Sequence, residues 1–456
     1  MPKKQEEILC DKRCRNTEYY GLQAVFDNLY SESLKGAEFT SLMPLILREE
    51  NIRLAYRTIK TNDGSRTPGT DGLTIADIEC LSVDDVISKV RSILYGNKDG
   101  YLPVPVRRVE IPKPYDHTKT RPLGIPGIWD RLVQQCIRQV MEPIVEAKLS
   151  KHCYGFRPNL STEEAIAEFQ RRIWQSHAYY VVEFDIKGFF DNVNHAKLIR
   201  QIWSLGIRDK KLLSVIRAML VAPTQMPDGS LTVTGKGTPQ GGILSPLLAN
   251  IVLNELDHWI ESQWIEHPLG QRLARVRKDG SLDKSTAYRT MRKTGLKEMY
   301  IVRYADDFRI LCKSKDDANK IRIAVTDWLQ ARLRLEVSQE KTRIVNVRQH
   351  YSEFLGIRIK AVRKGKGIVT RSHVGAKQLP CKTEALVSQA KRIAKPARGK
   401  TTSQEIEVYN AMVMGIQNYY DMATSIILAS EKSGRLKSIA AVYARTRKKS
   451  VPDFNA

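Results

Sequence analysis

The sequence predicts an α+β fold that is divided into several domains. At 456 residues the chain is too long for one compact core, so about two to four domains are expected. Between about residues 104 and 357, short runs with strand-like alternation are separated by segments with helical periodicity. The regions before residue 100 and after residue 360 show mainly helical patterns, which places helices and sheets in different parts of the chain.

The first 100 residues are expected to be mostly helical. Ser41 is suited to cap a helix over 42–47, and a second helix is predicted over 52–59. Residues 62–72 combine Asn, Asp, Gly, Ser and Pro, a composition that predicts a turn-rich loop. This part of the chain therefore precedes the first sheet.

The central part of the chain alternates strands and helices. The predicted elements are, in order, a basic β-hairpin over 104–125 with its turn near 115–117, a helix over 128–148, a buried strand over 179–186, a helix over 195–203, and a glycine-rich loop at 237–242 that leads into a helix over 245–259. Residues 262–299 are polar and basic, and they interrupt this pattern like an insertion.

A second hairpin carries acidic residues at its tip. The apolar runs 301–302 and 310–311 predict two short strands, and Asp306 and Asp307 lie between them. Two adjacent carboxylates repel each other unless a cation or a proton compensates their charge. A divalent metal is the simplest compensation, and metal-bound carboxylates in a basic protein indicate phosphoryl transfer on nucleic acid.

The remaining elements lead into a basic region near the end of the chain. A helix over 316–333 is followed by strands near 337, 344–345 and 354–357. From residue 360 to residue 456, 19 Lys and Arg stand against 6 acids, with helical patterns at 383–395, 403–420 and 422–446. This composition predicts a separate helical domain with an affinity for polyanions.

The charge of the whole chain points to nucleic acid. Lys and Arg number 74 against 50 Asp and Glu, which gives a formal net charge of +24. A protein this basic expects a polyanionic partner, and nucleic acid is the usual one.

We do not expect a membrane-spanning or a secreted protein. No apolar run reaches the roughly 18 residues that would cross a bilayer, and the first residues lack the apolar core of a secretory signal. The seven cysteines are odd in number and widely spaced, which favours reduced thiols in a cytosol-like compartment.

Asp185 joins the acidic pair as a candidate metal ligand. It follows the buried strand predicted over 179–186, about 120 residues before Asp306 and Asp307. Because all three acids lie at strand ends or hairpin tips, one sheet can bring them together. Two metal ions about 3.5–4 Å apart need bridging carboxylates. We therefore expect Asp185 and Asp306 to be the main ligands and Asp307 a third acid.

Ordered motifs make the chain resemble a known family. They are RPLGIP at 121–126, YGFRP at 154–158, FDIKGFFDNVNH at 184–195, GTPQGGILSPLLAN at 237–250, YADD at 304–307 and FLG at 354–356. This series resembles the successive blocks of group II intron-encoded reverse transcriptases, which are also maturases. The resemblance implies a right-hand polymerase with fingers, a palm built on an antiparallel sheet, and a helical thumb.

The resemblance also implies domain limits. Residues 1–100 would form an N-terminal helical extension and the start of the fingers, and 101–178 the fingers. The palm would cover 179–360 with an insertion at about 262–299, and the thumb or maturase X domain would cover 361–456.

The resemblance assigns metal and nucleotide roles. Asp185, Asp306 and Asp307 would be catalytic and would hold two Mg²⁺ ions together with Ile186. The nucleotide-binding residues would be Lys113, Arg121, Phe190, Gln240 and Gly241. Phe190 would be a steric gate against the ribose 2′-hydroxyl, the two cations would bind the triphosphate, and the glycine would allow close backbone approach.

Three further residues are candidate template or primer contacts: Arg157, Tyr304 and Lys341. Lys341 resembles a palm lysine near the primer end. For Arg157 two alternatives stay open, a template phosphate or a structural ion pair. In the thumb, Ile416, Tyr419 and Tyr420 have the spacing of one helix face and are expected in its core.

The implied function is RNA-directed DNA synthesis for a group II intron. The partners would be the intron RNA, the target DNA, an RNA/DNA primer–template and deoxynucleoside triphosphates, without a membrane. A homodimer is compatible with this reading. The resemblance implies binding of the intron RNA, help in its splicing, and target-primed copying into cDNA, in a bacterial cytoplasm in association with the nucleoid or a ribonucleoprotein. Because no Cys-x-x-Cys pair is present, we do not expect the endonuclease activity of many relatives.

Two alternatives remain. One is an RNA-binding splicing cofactor with incidental polymerase activity, which degenerate acids would have favoured. The other is a reverse transcriptase of another bacterial retroelement, against which the maturase-like thumb and the insertion argue.

Overall fold

A computed structural model describes residues 15–95, 100–113, 116–280, 282–376 and 378–421. Its α-helices are, in chain order, α1 Asn16–Tyr19, α2 Gln23–Leu34, α3 Met43–Ile46, α4 Glu49–Lys60, α5 Ile75–Glu79, α6 Val83–Tyr95, α7 Ile128–Glu146, α8 Thr162–Trp174, α9 Phe189–Asn192, α10 His195–Ser204, α11 Lys210–Leu220, α12 Ser245–Gln263, α13 Pro268–Arg272, α14 Ser285–Met291, α15 Lys315–Trp328, α16 Gln378–Ala394 and α17 Thr402–Tyr420. A 3₁₀ turn covers Asp63–Arg66, and a π-helix, Leu329–Leu333, continues α15.

Within the described residues, the strands form three main sheets and one small hairpin. They are β1 Val106–Lys113, β2 Asp116–Ile125, β3 Tyr180–Phe184, β4 Thr224–Gln225, β5 Leu231–Thr232, β6 Arg275–Val276, β7 Leu282–Asp283, β8 Met299–Tyr304, β9 Asp307–Cys312, β10 Arg343–Asn346, β11 Ser352–Phe354, β12 Ile357–Lys364 and β13 Gly367–Val374. The sheet orders are β2-β1-β4-β5, β10-β3-β9-β8 and β11-β12-β13, with β6 paired to β7.

The N-terminal helices are tied to the rest of the protein by a buried aspartate. Asp209, which is 5% exposed, accepts hydrogen bonds from the backbone amides of Leu42 at 2.7 Å and Met43 at 3.0 Å. Its other oxygen caps α11 through the amides at 211 and 212. The prediction that Ser41 caps the helix over 42–47 is therefore wrong, because a carboxylate from a distant helix satisfies those amides.

The basic β-hairpin has the predicted position. Strands β1 and β2 are antiparallel, with Ile111 opposite Arg121, and β1 also pairs in parallel with β4. Helix α7 follows directly. It is buried over most of its surface, whereas the apolar periodicity of its sequence predicts only one buried face. The hairpin therefore projects from a buried helical base.

The central four-stranded sheet is antiparallel throughout. Phe184 lies opposite Phe308, and Tyr304 lies opposite Asp307 at the β8–β9 turn. Helix α15 packs against β3, β9 and β10, and α8 and α12 pack against β8. Because β3 and β9 are neighbours in this register, residue 185 and the turn at 305–306 lie at the same end of the sheet.

The insertion over 262–299 contains α13, the β6–β7 hairpin and α14. Trp264 is fully buried and its indole stacks on Tyr288, with ring centroids 5.7 Å apart. The polar sequence of 262–299 thus covers an apolar stacking contact between two of its own residues.

The chain after residue 360 departs from the purely helical expectation. Strands β12 and β13 extend to Val374, and helices begin only at Gln378. The single strand expected over 354–357 is divided, because Leu355 and Gly356 both have positive φ values, 50° and 74°, and form a tight turn. The helical pattern predicted at 422–446 lies outside the described residues.

Helices α16 and α17 pack as a pair. Gln389 on α16 donates to the Glu405 carboxylate at 2.6 Å, and both side chains are buried. Tyr420 is 3% exposed and Ile416 packs on the core, as predicted, whereas Tyr419 is 41% exposed. The hydroxyl of Tyr419 instead donates to the carbonyl oxygen of Leu355 at 3.1 Å. Among the helices that the structure describes, none is long and apolar enough to cross a membrane.

Candidate active site

A cavity of about 770 Å³ opens at the end of the central sheet, between the β1–β2 hairpin and the glycine-rich loop. Most of the predicted site residues line it: Arg121, Asp185, Ile186, Phe190, Gln240, Gly241, Asp306 and Lys341. They come from five separate stretches of sequence. The fold therefore brings together residues that sequence motifs identified singly.

The acidic turn is formed by an unusual backbone conformation. Ala305 has a φ of 57°, in the left-handed region that a residue with a Cβ seldom adopts. This reverses the chain within two residues, so that β8 ends at Tyr304 and β9 begins at Asp307. Asp306 is consequently presented at the tip of the hairpin, towards the cavity.

Negative charge is concentrated at this tip. Burial raises the pKa of Asp306, the charges of Asp307 and Asp185 raise it further, and Arg121 opposes them. Burial also raises the pKa of Asp307, although Arg309 lowers it in part. Both carboxyl groups thus lie in an environment that resists ionisation, which a bound divalent cation would relieve.

Asp185 is held by the segment that follows α15. Its carbonyl oxygen accepts from the amide of Ser338 at 2.8 Å, and Ile186 forms a β-bridge with Val337. Its carboxylate forms an ion pair with Lys341, at 3.2 Å from Nζ to Oδ2. The predicted primer-end lysine therefore lies directly beside a predicted metal ligand.

Asp307 differs from the other two acids. Its carboxylate pairs with Arg309, which also donates to the carbonyl oxygen of Glu353 at 2.9 Å and lies over the ring of Phe354. Asp307 is not among the residues that line the cavity. Within the described part of the chain, no three His, Cys, Asp or Glu side chains cluster closely enough to be recognised as a metal site. The role of Asp307 as a third ligand remains a prediction.

The two phenylalanines of the FDIKGFF motif have separate environments. Phe189 is 2% exposed in the core, and Phe190 lines the cavity with its ring 5.3 Å from that of Phe189. The carbonyl oxygen of Phe190 accepts from the amide of Thr238 at 2.7 Å, which ties α9 to the glycine-rich loop. Phe190 is therefore the ring of the two that can meet a nucleotide in the cavity, and its role as a steric gate stays a prediction.

The glycine-rich loop runs against strand β2. The amide of Gly124 donates to the carbonyl oxygen of Gln240 at 2.6 Å. Gly241 has a φ of 111°, and a Cβ there would lie 2.7 Å from Leu123 Cδ1 and 2.8 Å from the Gly124 carbonyl oxygen. Only glycine fits this position without displacement. Lys113 ends β1 opposite Asp116, and its side chain lies outside the described part of the structure.

Arg157 forms a structural ion pair, which is one of the two alternatives predicted for it. Its guanidinium binds the Glu146 carboxylate at 2.5–3.0 Å and donates to the carbonyl oxygens of Ser150 and Cys153 at 2.7 and 2.8 Å. The side chain is 9% exposed. All three of its nitrogens are used within the protein, so the candidate template contact is not supported.

Two residues that line the cavity were not among the predicted site residues. Phe156 is 43% exposed, has a φ of 59°, and lies with its ring centroid 6.4 Å from that of the predicted contact residue Tyr304. Arg138 on α7 also lines the cavity and pairs with Glu142 at 3.0 Å. Phe156 was visible only as part of the YGFRP motif, and Arg138 lies in a helix whose pattern indicated core packing.

A second cavity, of about 760 Å³, lies between α10, α12 and the π-helix. Its charged residues include Lys197 and Arg332, which both pair with Glu255. None of the predicted site residues lines it. The predicted site residues therefore gather at the first cavity.

Comparison with known proteins agrees with this geometry. Residues 111–359 match the family model described as "Reverse transcriptase (RNA-dependent DNA polymerase)". The group II intron-encoded protein LtrA of Lactococcus lactis subsp. cremoris is 32% identical, over 91% of this chain and 77% of its own length. Protein YkfC of Escherichia coli K12 is 31% identical, over 70% of this chain and 82% of its own.

More distant similarities follow. The putative COX1/OXI3 intron 1 protein of Saccharomyces cerevisiae is 28% identical, over 88% of this chain and 52% of its own length. Among solved structures, a chain of a partial Cas6-RT-Cas1–Cas2 complex aligns over 64% of this chain and 43% of its own length, at 24% identity and a TM-score of 0.36. The reverse transcriptase model covers more than half of the chain, and LtrA matches nearly all of it. The predictions of an α+β polymerase fold and of an RNA-directed DNA polymerase are confirmed, and the chain belongs to the group II intron-encoded reverse transcriptases.

Proposed function

We propose that this polymerase copies its intron RNA into DNA, from a primer end placed in the 770 Å³ cavity, with two Mg²⁺ ions held beside Asp185 and Asp306. The observation that carries the proposal is that one cavity joins these two carboxylates to Phe190, Gln240 and Arg121. Reverse transcriptases as a family use divalent metal ions, and the choice of Mg²⁺ and of two ions belongs to the proposal.

The carboxylates suit this role. Asp185, Asp306 and the carbonyl oxygen of Ile186 would hold the ions, and Asp307 would join them on leaving Arg309. Bound ions would lower the barrier to attack by the primer hydroxyl on the α-phosphate and would stabilise the in-line displacement. Lys341 has a long side chain that is 64% exposed, so it can move from Asp185 towards the primer end.

The nucleotide would be held by the opposite wall. Arg121, with Lys113 on the same hairpin, would bind the triphosphate through charge-assisted hydrogen bonds. The ring of Phe190 would occupy the space that a 2′-hydroxyl needs and so select deoxynucleotides. Gln240 and Gly241 would contact the base or sugar, where the loop backbone can approach closely.

The wider assignment follows the family. We infer that the chain binds its intron RNA, helps it to splice, and copies it by target-primed reverse transcription at a DNA site. The basic excess after residue 360 supports RNA binding through phosphates, which would make affinity strongly dependent on salt. Action within a ribonucleoprotein in a bacterial cytoplasm, the homodimer and the domain limits given above are part of this proposal.

The test is primer extension on an RNA template with Mg²⁺ and deoxynucleotides. We expect extension by the wild type, loss with Asp306→Ala, and near-normal extension with Asp316→Ala, since Asp316 is an exposed acid paired with Lys320 at the start of α15. Equal activity of the two variants would refute the metal-ligand role. Failure of the wild type to extend while still binding RNA at physiological salt would favour the splicing-cofactor alternative.

A further inference from the structure

A fully buried arginine lies directly before the acidic turn. Arg303 is the penultimate residue of β8, and its side chain is 0% exposed, as is that of its ion-pair partner Asp257 on α12. Burying a charge costs free energy that only good geometry and further hydrogen bonds recover. The contacts of this guanidinium therefore indicate what the burial achieves.

The guanidinium contacts three groups at once. Its Nε donates to both oxygens of Asp257 at 2.8 and 3.0 Å, and Nη2 donates to Oδ2 at 2.5 Å. Its Nη1 donates to Asn250 Oδ1 at 3.0 Å and to the carbonyl oxygen of Ala305 at 2.8 Å. Burial alone would lower the pKa of Arg303, but the charge of Asp257 outweighs it and raises that pKa, so the arginine is always charged.

The bond to Ala305 bears on the catalytic turn. Ala305 has a left-handed backbone, which is unfavourable for a residue with a Cβ and must be held by its surroundings. The carbonyl that Arg303 holds belongs to the peptide between Ala305 and Asp306. The guanidinium thus fixes the orientation of the peptide that carries the Asp306 carboxylate.

Asn250 extends the same network to the opposite turn. Its side-chain amide donates to the carbonyl oxygen of Gly155 at 2.8 Å. A Cβ on Gly155 would lie 2.3 Å from the amide nitrogen of Ala305, so the two turns are in direct backbone contact. The next residue, Phe156, presents its half-exposed ring to the cavity from a second left-handed position.

We propose that Arg303, Asp257 and Asn250 form a positioning network that fixes the Asp306 turn and the Phe156 turn at a set spacing across the cavity. The inference rests on the proposed polymerase function. None of the three side chains lines the cavity; they act through the Asp306 turn and the Phe156 turn, which do. An ion pair that served stability alone would need only Asp257, whereas here one guanidinium nitrogen is committed to Asn250 and to the turn itself.

The chain offers a matched pair of variants for the test. Asn250 and Asn254 lie one helical turn apart on α12, and both are buried. Asn254 accepts from the amide of Ser150 at 3.1 Å and donates to the carbonyl oxygen of Lys148 at 3.1 Å, at the base of the same loop. Asn250→Ala breaks the network, and Asn254→Ala removes equivalent bonds outside it.

Four quantities are measured for each variant: thermal stability, the dissociation constant for an RNA–DNA primer–template, the single-turnover rate of nucleotide addition with its Mg²⁺ dependence, and hydrogen exchange over residues 299–312. We expect similar losses of stability and unchanged primer–template affinity in both variants. Only Asn250→Ala should slow addition, on the order of 10–100-fold, raise the Mg²⁺ concentration for half-maximal rate, and speed exchange at the turn.

Rates that fall in proportion to stability in both variants, or unchanged exchange at the turn in Asn250→Ala, would overturn the proposal. The exchange comparison needs no nucleotide, so it tests the network even where the wild type fails to extend a primer, a result that would count against the proposed function alone.

A second pair of variants tests the network if Asn250→Ala does not fold. Arg303→Lys keeps the charge but loses the planar donors that reach three groups together. Its control is Arg292→Lys, which alters a two-point pair with Glu298, at 2.8 and 3.2 Å, in the insertion. A loss of rate beyond that of the control supports the network, and an equal effect refutes it.

Discussion

Replacing Gly241 by alanine should damage both stability and nucleotide binding. The new Cβ would lie 2.7 Å from Leu123 Cδ1, which can turn aside, but also 2.8 Å from the carbonyl oxygen of Gly124, which is backbone. At a φ of 111° the alanine also carries strain of about 1–3 kcal/mol. Overpacking adds about 1–3 kcal/mol, so a loss of about 2–6 kcal/mol is expected if nothing moves.

The alternative to this loss is displacement of the loop, which would break the 2.6 Å bond from Gly124 to Gln240 and move the predicted nucleotide contact. We therefore expect Gly241→Ala to lower the free energy of unfolding, to raise KM for deoxynucleotides, or both, measured by urea denaturation and by primer extension. The matched control is Gly235→Ala, because a Cβ at Gly235 meets nothing within 4 Å. Indistinguishable stability and KM in the two variants would refute the argument that close approach requires glycine here.

Three further predictions address the site and its support. Phe190→Ala should raise ribonucleotide incorporation on the order of 10–100-fold. Phe189→Ala, in the core, should cost about 3–5 kcal/mol of stability without changing the preference for deoxynucleotides. Competition between ribonucleotides and deoxynucleotides measures this preference in each variant, and equal selectivity of the two variants would contradict the assignment. Because burial and neighbouring charge raise the folded-state pKa of Asp306, the contribution of this carboxyl group to stability falls as pH rises from about 4 through that pKa. Asp306→Asn should therefore be more stable than the wild type at pH 7 but not below about pH 4. Urea denaturation at several pH values measures this, and a stability difference that does not change with pH would refute it. The pKa of Glu261 is shifted in the opposite direction: burial raises it, but hydrogen bonds from two histidines and a serine outweigh burial and lower it to about 2. The contribution of the ionised Glu261 carboxylate to stability is therefore present above about pH 4.5 and is lost towards pH 2. Glu261→Gln should cost about 3–5 kcal/mol at pH 7 and much less at pH 3, and a pH-independent cost would contradict the assignment.

Local sequence patterns were sufficient for most elements of the fold. The hairpins around residues 115 and 305, the helix at 128 and the buried strand before Asp185 follow from apolar periodicity and turn residues, which act over a few neighbours. The acidic tip was likewise predictable, because two adjacent carboxylates between apolar runs have few structural explanations.

The errors share a different cause. Ser41 has the right chemistry for a cap, but Asp209, more than 160 residues later, takes the role. The strands that continue to Val374 are stabilised by pairing with each other and by packing on α8, neither of which their basic sequence reveals. In both cases a contact with a segment far away in the sequence, the Asp209 carboxylate or helix α8, outweighed the local preference.

For this protein, the sequence by itself determined the family, the order of the motifs and the types of residue that the chemistry needs, because these are properties of short stretches. Only the tertiary structure decided how those residues are used. It placed Arg157 in an internal ion pair with Glu146, Asp307 beside Arg309, Lys341 beside Asp185, and buried Arg303 on the carbonyl oxygen of Ala305 in the acidic turn. The physical reason is that charged side chains take the partners that the packed fold brings within hydrogen-bond distance, and linear spacing does not contain those distances.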